Sequence, residues 1–181
     1  QLLSPALSLS FSLTAAGYQT AISKYVAADS AKRPSGNLKP LLAGTSITLP
    51  LSLVTNAILF FSADPIGIFL LKDHRTVPML RILSFSVPFA ALHACINGYF
   101  YGKKKASVPA LTQLLEQLAR VSCVFLVTGA DLAEGRTPSI NAAVLGLTVG
   151  EIFSMLIALV CLYIHLYPDL SLIHISEPTR P

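Results

Sequence analysis

Long apolar stretches constrain the fold of this chain more than any other feature of its sequence. Five of them are predicted, running from about Leu2 to Val26, Leu38 to Phe61, Pro78 to Tyr101, Ser107 to Val127, and Ser139 to Leu166. A helix needs about 20 mostly apolar residues to cross a bilayer, whereas a barrel strand needs about 10 residues that alternate in polarity. The sequence therefore predicts an all-α membrane protein with about five transmembrane helices.

Charge content supports the bilayer as the solvent of this chain. Charged residues make up 12% of the 181 residues, about half of the roughly 25% that soluble domains carry. The net charge of +4 does not indicate a nucleic-acid partner, because the basic residues stand in short clusters between apolar stretches. Membrane lipids are the expected partners, and no nucleic-acid binding is predicted.

Basic residues beside the connections predict how the chain crosses the membrane. The first and third connections have seven, against four at the second and fourth: Lys24, Lys32, Arg33, Lys39, Lys103, Lys104 and Lys105 against Lys72, Arg75, Arg81 and Arg136. Positive charge favours the cytoplasmic side. The first and third connections are therefore predicted to face the cytoplasm.

The fourth stretch carries an ionisable face. Its polar side chains follow one another at i, i+3, i+4 and i+7, which is one side of a helix: Gln113, Glu116, Gln117 and Arg120. Glu116 would lie roughly 14 Å along the helix from Ser107, about half way through the membrane core. One interpretation is an ion pair that fixes helix packing. The other is the lining of a cavity, in which Arg120 attracts phosphate and Glu116 holds Arg120 in place.

Polar residues also recur in the fifth stretch. Asn141, Thr148 and Glu151 form a stripe, and Glu151 is the one charged residue between Arg136 and Asp169. Two glycines four residues apart, Gly146 and Gly150, favour close approach of a second helix.

The third stretch has Ser86, His93 and Asn97 on one side. His93 and Cys95 could suggest a metal, but two ligands do not make a site, so we interpret His93 as a hydrogen-bonded packing residue and predict no metal. The three cysteines are interpreted as apolar packing residues: Cys95, Cys123 and Cys161. No catalytic or cofactor motif is found, and the chain is not predicted to be an enzyme.

Three segments resemble a known family. Asn97–Gly102 (Asn-Gly-Tyr-Phe-Tyr-Gly), Ser107–Val121 with its Glu-Gln-x-x-Arg block, and Ala21–Ala28 (Ala-Ile-Ser-Lys-Tyr-Val-Ala-Ala) are similar to the stage V sporulation protein B group. That group belongs to the polysaccharide biosynthesis (polysaccharide transporter) family of the MATE-like flippase superfamily. The chain departs from the group's pattern at Gln19-Thr20, where a proline is usual, and at Asn97 and Tyr101, where arginine and glutamine are usual.

The resemblance implies a fold of two six-helix lobes around a central cavity, with alternating access. Residues 1–169 would be helices two to six of the N-terminal lobe, and the C-terminal lobe of the same protein would be their partner. The implied substrate is a polyprenyl-linked saccharide, translocated across the plasma membrane of a bacterium. The expected cavity residues are Asn97, Gln113, Glu116, Gln117, Arg120 and Glu151.

Two other functions stay open at this point. A cation-coupled multidrug exporter of the same superfamily predicts cavity acids without a paired base, which Glu151 permits although its coupling cation is unknown. If the chain is a non-transport membrane scaffold or enzyme subunit, the polar stripes are expected to pack together between helices without leaving a cavity.

The two ends of the sequence also carry expectations. The chain begins with Gln1 inside an apolar stretch, which predicts that the protein's own first helix is missing. Leu170–Arg180, LSLIHISEPTR, resembles the translation of a sequencing-library adapter. Residues 170–181 are therefore predicted to be an artefactual tail.

Overall fold

The computed structural model describes residues 17–32, 38–137 and 141–175, and the side chains of 17–30, 38–137 and 141–166. Every regular element in these ranges is helical. The five long helices are α1 Gly17–Lys32, α2 Lys39–Phe61, α3 Thr76–Gly102, α4 Ser107–Ala133 and α5 Asn141–Ile175. Helices α2 to α5 are each long and apolar enough to cross a membrane. The predicted all-α membrane fold is therefore confirmed.

The described helices match four of the five predicted spans and differ mainly at their ends. The first predicted span, Leu2–Val26, lies largely outside the described residues, and only its end appears, as part of α1. Helix α1 continues to Lys32, so residues 27–32 are helical where a loop was expected. This part of the chain is rich in alanine, which favours helix. The first clear helix breaker, Pro34, comes only afterwards.

The turn between α4 and α5 is shorter than predicted. The predicted spans end at about Val127 and begin again at about Ser139, but α4 continues to Ala133. Gly129 lies in a run of residues that sustains helix on both sides. The chain turns only at Glu134–Gly135, where Gly135 has a φ of 69°. Helix α5 runs to Ile175, past the predicted span end at Leu166. That residues 170–181 are an artefactual tail stays a prediction.

A short helical segment links α2 to α3. It consists of a turn at Ala63–Pro65 and a π-helical turn at Ile66–Leu70. Asp64 in this segment forms a 2.7 Å ion pair with Arg81 of α3. Phe69 and Leu70 remain 79% and 75% exposed, as apolar side chains at a membrane interface would be.

Helix α3 is the centre of the packing. It contacts α1, α2 and α5 extensively, whereas α4 packs chiefly against α5. In the most apolar part of each helix, 67% of the α3 residues are buried but only 11% of the α4 residues. Helix α4 therefore lies at the rim of the described bundle, with one face against α5 and the rest uncovered by these helices.

Glycines on α3 bring α1 into backbone contact with it. A Cβ atom at Gly98 would lie 2.6 Å from the carbonyl oxygen of Gln19, and one at Gly102 would lie 2.7 Å from that of Ser23. Real Cβ atoms do not approach other atoms this closely, so glycine is required at both positions. This contact places Gln19 beside the polar residues of α3.

Glycines on α5 bring α4 into backbone contact with α5. A Cβ atom at Gly146 would lie 3.0 Å from the carbonyl oxygen of Arg120, and one at Gly150 would lie 3.2 Å from that of Glu116. The close helix approach that the Gly-x-x-x-Gly spacing predicts is confirmed. As a result, the turn of α4 that carries Glu116 and Arg120 packs directly against α5.

Candidate functional site

A buried polar cluster joins α3, α4 and α5 around His93. The Nε2 atom of His93 lies 2.9 Å from Asn97 Nδ2, 3.2 Å from Thr112 Oγ1 and 2.9 Å from Ser154 Oγ. All four side chains are buried. Polar groups inside an apolar span need such partners. At Nε2, the contacts of His93 therefore fit the predicted role of a hydrogen-bonded packing residue.

The side chain of Asn97 lies between the imidazole of His93 and the rest of the site. Because the Asn97 N–H group can only donate, Nε2 accepts this hydrogen bond. Nδ1 lies 3.8 Å from Glu151 Oε2. The carbonyl oxygen of Asn97, Oδ1, is buried and has no hydrogen-bond partner among the described residues.

Two carboxylates complete the cluster. Glu116 comes from α4 and is buried, and the side chain of Glu151, from α5, is 21% exposed. One ligand-type atom from each of Glu116, Glu151 and His93 lies within 4.8 Å of the others. Glu116 also forms an ion pair with Arg120, one helical turn later on α4.

A polar cavity of about 290 Å³ opens beside the cluster. Its polar lining residues come from α1, α3, α4 and α5: Gln19, His93, Asn97, Tyr101, Gln113, Glu116 and Glu151. A space lined in this way within membrane-spanning helices can hold water or a polar ligand, which a lipid-facing surface cannot.

Arg120 stands between this polar site and an apolar groove. The groove, of about 500 Å³, is lined by Arg120 and by the largely apolar set Val121, Val124, Phe125, Thr128, Ala143 and Leu147. The Arg120 side chain is 25% exposed. Its Nε atom is buried without a hydrogen-bond partner in the described part of the chain.

The six candidate residues occupy three kinds of position. The cavity is lined by four of them, Asn97, Gln113, Glu116 and Glu151. Arg120 does not line the cavity, although it reaches the site through Glu116. Gln117 is exposed, and its Oε1 atom accepts a 3.3 Å hydrogen bond from Arg120. The roles of all six in substrate handling stay predictions.

The sequence did not indicate that His93 is the centre of the cluster. His93 and Asn97 share a helical face at i and i+4, which is a signal for the pair. The partners Thr112 and Ser154 carry no comparable signal, because serine and threonine are common in membrane helices. Cys95, two residues from His93, points elsewhere, into an apolar core that includes Tyr99, and takes no part in the site.

Apolar spans that enclose an ionisable cluster and a polar cavity define a class of protein, the multi-pass α-helical membrane proteins with an intramembrane polar site. The chain belongs to the polysaccharide biosynthesis protein family, whose sequence profile matches residues 2–180. The predicted family and the predicted location, a multi-pass bacterial membrane protein, are thereby confirmed.

A curated relative shows how much of a longer protein the chain covers. Stage V sporulation protein B of Bacillus subtilis (strain 168) is 34% identical to the chain over 158 residues, which are 87% of this chain and 30% of that protein. The chain thus spans less than a third of the length of this relative. Among solved structures, none gives a significant match.

Proposed function

We propose that the chain is part of a flippase or exporter that translocates lipid-linked oligosaccharides or cell-wall precursors by alternating access. The observation that carries this proposal is the position of Arg120, which lines the apolar groove and forms an ion pair with Glu116 of the polar cavity. Family membership supports a role in polysaccharide biosynthesis. The chemistry around Arg120 supports the substrate class that the family resemblance implies.

A lipid-linked saccharide has three chemically different parts: a polar sugar, a phosphate bridge and a long apolar chain. Arginine suits the phosphate, because its planar guanidinium can donate two parallel hydrogen bonds to phosphate oxygens. The polar cavity lined by Gln113 and Glu151 suits hydroxyl groups of a sugar, and the groove beside Val124 and Leu147 suits part of the apolar chain. Glu116 keeps Arg120 in position between them.

The uncovered face of α4 supports a larger transporter around this site. Gln113 and Gln117 are exposed on it, and polar side chains at membrane depth require water or protein as neighbours. The chain corresponds to 30% of the length of its curated relative. A second lobe facing α4 would enclose the site and permit the rocking motion that transporters built from repeated lobes use.

Cation-coupled export is the second candidate function, and one observation favours it. Glu151 faces the cavity, and no lysine or arginine pairs with its carboxylate among the described residues. A cavity carboxylate without a lysine or arginine partner is compatible with cation coupling. A non-transport scaffold has less support, because the stripes of α3, α4 and α5 enclose an open space of about 290 Å³ and are not packed shut.

The decisive experiment is complementation by the full-length protein in a strain that lacks its lipid-linked saccharide flippase. Arg120→Ala is expected to abolish rescue, because losing a charge-assisted contact to phosphate costs about 2–5 kcal/mol, at least a tenfold loss of affinity. Arg120→Lys, which keeps the charge but loses the planar fork, is expected to rescue partly. Immunoblots of membrane fractions would show that each variant is inserted.

Arg136→Ala is the matched control, since Arg136 is an exposed turn arginine that also pairs with acidic residues. It should rescue as well as the unaltered protein. Full rescue by Arg120→Ala would contradict the role of Arg120 as a headgroup contact. Drug resistance conferred without any rescue of saccharide export would instead favour the multidrug exporter.

A further inference from the structure

We infer that the part of the polar cavity nearest the lysine-rich turn is a subsite for one neutral sugar ring, with the aromatic face of Tyr101 as its platform. Its hydrogen-bonding groups are three amides, those of Gln19, Asn97 and Gln113. The inference rests on the proposed function and deepens it, because it names the part of the substrate that this cavity recognises. Tyr101 is the one tyrosine or phenylalanine among the described residues that line the cavity.

The cavity follows one stripe of α3 from the middle of the helix to its end. Its α3 lining residues stand at i, i+4, i+7 and i+11: Ala90, Ala94, Asn97 and Tyr101. They span about 16 Å at a rise of about 1.5 Å per residue. Tyr101 lies in the last turn of α3, directly before the lysine-rich turn. The subsite is therefore at the end that the charge count predicts to be cytoplasmic, where an exported saccharide has to be loaded.

Tyr101 has the properties of a platform for a sugar ring. Its side chain is 45% exposed, although 67% of the most apolar part of α3 is buried. A pyranose presents C–H groups on one face of its ring, and these pack against the flat apolar face of a tyrosine, which removes both surfaces from water. The preceding aromatic residues, Tyr99 and Phe100, are buried in the apolar core. Of the three, Tyr101 alone lines the cavity.

Asn97 supplies an independent indication of a ligand, one helical turn deeper than Tyr101. Its amide nitrogen donates to His93 Nε2 at 2.9 Å, whereas its buried Oδ1 atom has no partner among the described residues. A buried carbonyl oxygen without a partner is destabilising. A hydroxyl group of a bound sugar would donate to it.

Two further amides line the cavity around this position. Gln19 lies at the level between Asn97 and Tyr101, because its backbone contacts Gly98. Gln113 faces the same cavity from α4. An amide both donates and accepts hydrogen bonds, as a sugar hydroxyl does. An aromatic face beside three amides is therefore suited to a sugar ring.

The size and charge of the lining select a neutral ring. The cavity volume of about 290 Å³ equals the share of about ten water molecules in the liquid, at about 30 Å³ each, which suits one sugar ring. No lysine or arginine lines the cavity in the described part of the chain. A carboxylate on the sugar would be desolvated there without a cation beside it. The subsite is therefore expected to take neutral sugars and to reject uronic acids.

Saturation-transfer NMR on the purified full-length protein tests the subsite with free sugars that carry no phosphate. Two probes are neutral, methyl β-glucoside and methyl N-acetyl-β-glucosaminide, and one is acidic, methyl β-glucuronide. The unaltered protein is expected to bind the neutral probes saturably. It should bind the acidic probe at least about tenfold more weakly, equivalent to 1.4 kcal/mol. Transfer should be strongest to the protons on one face of the sugar ring, since that face packs on Tyr101.

Two variants of Tyr101 separate its aromatic face from its hydroxyl group. Tyr101→Gln keeps a polar side chain and removes the ring, so the affinity for neutral probes should fall about tenfold, equivalent to 1.4 kcal/mol. Tyr101→Phe keeps the ring and should bind them as the unaltered protein does. Asn97→Ala should weaken binding as well. Tyr25→Gln is the matched control, because Tyr25 is 70% exposed and lines a different groove, between α1 and α2.

Two readouts keep the test decisive. A Tyr101→Gln variant that elutes as a single species and unfolds at the temperature of the unaltered protein is folded. The one-sided proton pattern is measured on the unaltered protein and tests the platform without any variant. Absence of saturable binding of the neutral probes would overturn the inference. So would transfer spread evenly over both ring faces, binding that Tyr101→Gln leaves unchanged, or equal binding of the glucuronide.

Arg120→Ala separates this inference from the proposed function. The probes carry no phosphate, so this variant should bind them as the unaltered protein does, although its saccharide export should fail. Sugar binding by an unaltered protein that exports no lipid-linked saccharide would leave the subsite standing and remove the proposed function. Export that depends on Arg120, together with sugar binding that Tyr101→Gln leaves unchanged, would remove the subsite and leave the proposed function standing.

Discussion

Glu116 takes part both in an ion pair within α4 and in the lining of the polar cavity. It is buried, it pairs with Arg120 on its own helix, and it shares a cavity with Glu151. A buried charge is costly unless it is paired, and removing one partner leaves the other charge buried without a counter-charge. The sequence left open whether the ion pair fixes packing or lines a cavity. In the described bundle Glu116 does line a cavity, and the pairing with Arg120 permits both roles.

The packing role of the ion pair can be measured by removing one or both partners. Glu116→Leu should lower the free energy of unfolding by about 3 kcal/mol, because Arg120 would keep a mostly buried charge without a counter-charge. Glu116→Leu combined with Arg120→Met should restore most of this loss, since an apolar pair of similar volume is often neutral. Unfolding in detergent by chemical denaturant would measure both. A double variant no more stable than the single one would contradict the argument.

At the scale of helices, the α4–α5 contact determines where the site lies. Gly146 and Gly150 let α5 approach the backbone of α4 at the turn that carries Glu116 and Arg120. On the other side, α3 brings His93 and Asn97 to the same depth. The three helices meet at side chains that are far apart in the sequence, such as His93 and Ser154. Helix spacing is therefore a condition for the cluster to form.

A side chain at Gly150 should separate α4 from α5. Because a Cβ atom there would lie 3.2 Å from the Glu116 carbonyl oxygen, Gly150→Val forces the two backbones apart and should destabilise the protein by about 1–3 kcal/mol. The matched control is Gly129→Val on α4, where an added Cβ meets nothing within 4 Å. Thermal unfolding in detergent would compare the two. Equal stability of the two variants would show that the close approach is not needed.

The sequence predicts the helices well and the cluster only in part. Helices α2 to α5 follow from length and hydropathy, because a bilayer allows few alternatives to an apolar helix. The end of α4 was placed too early, since Gly129 carries a turn signal that the surrounding helix overrides. Glu116 and Arg120 could be found from their spacing on one helix. The contact of His93 with Thr112 and Ser154 could not, because it depends on how three helices pack.

At the scale of the whole molecule, the lysine-rich turn between α3 and α4 marks one end of the bundle. Lys105 Nζ lies 3.0 Å from His165 Nδ1, so the α3–α4 turn and the later part of α5 lie together. Gly102 packs against Ser23 of α1, which brings the end of α1 to the same side. This end carries the lysine-rich turn that the charge count predicts to be cytoplasmic. The turn between α4 and α5 lies at the opposite end of both helices.

Cysteine labelling in intact cells tests this orientation. In a full-length protein whose Cys95, Cys123 and Cys161 are replaced by alanine, Glu134→Cys should react with a membrane-impermeant maleimide added outside. Lys104→Cys should react only after the membrane is permeabilised, because the excess of positive charge holds its turn in the cytoplasm. Both positions are exposed, so a difference in labelling reports the side of the membrane and not burial. The reverse pattern would invert the orientation and place the basic end on the outer side.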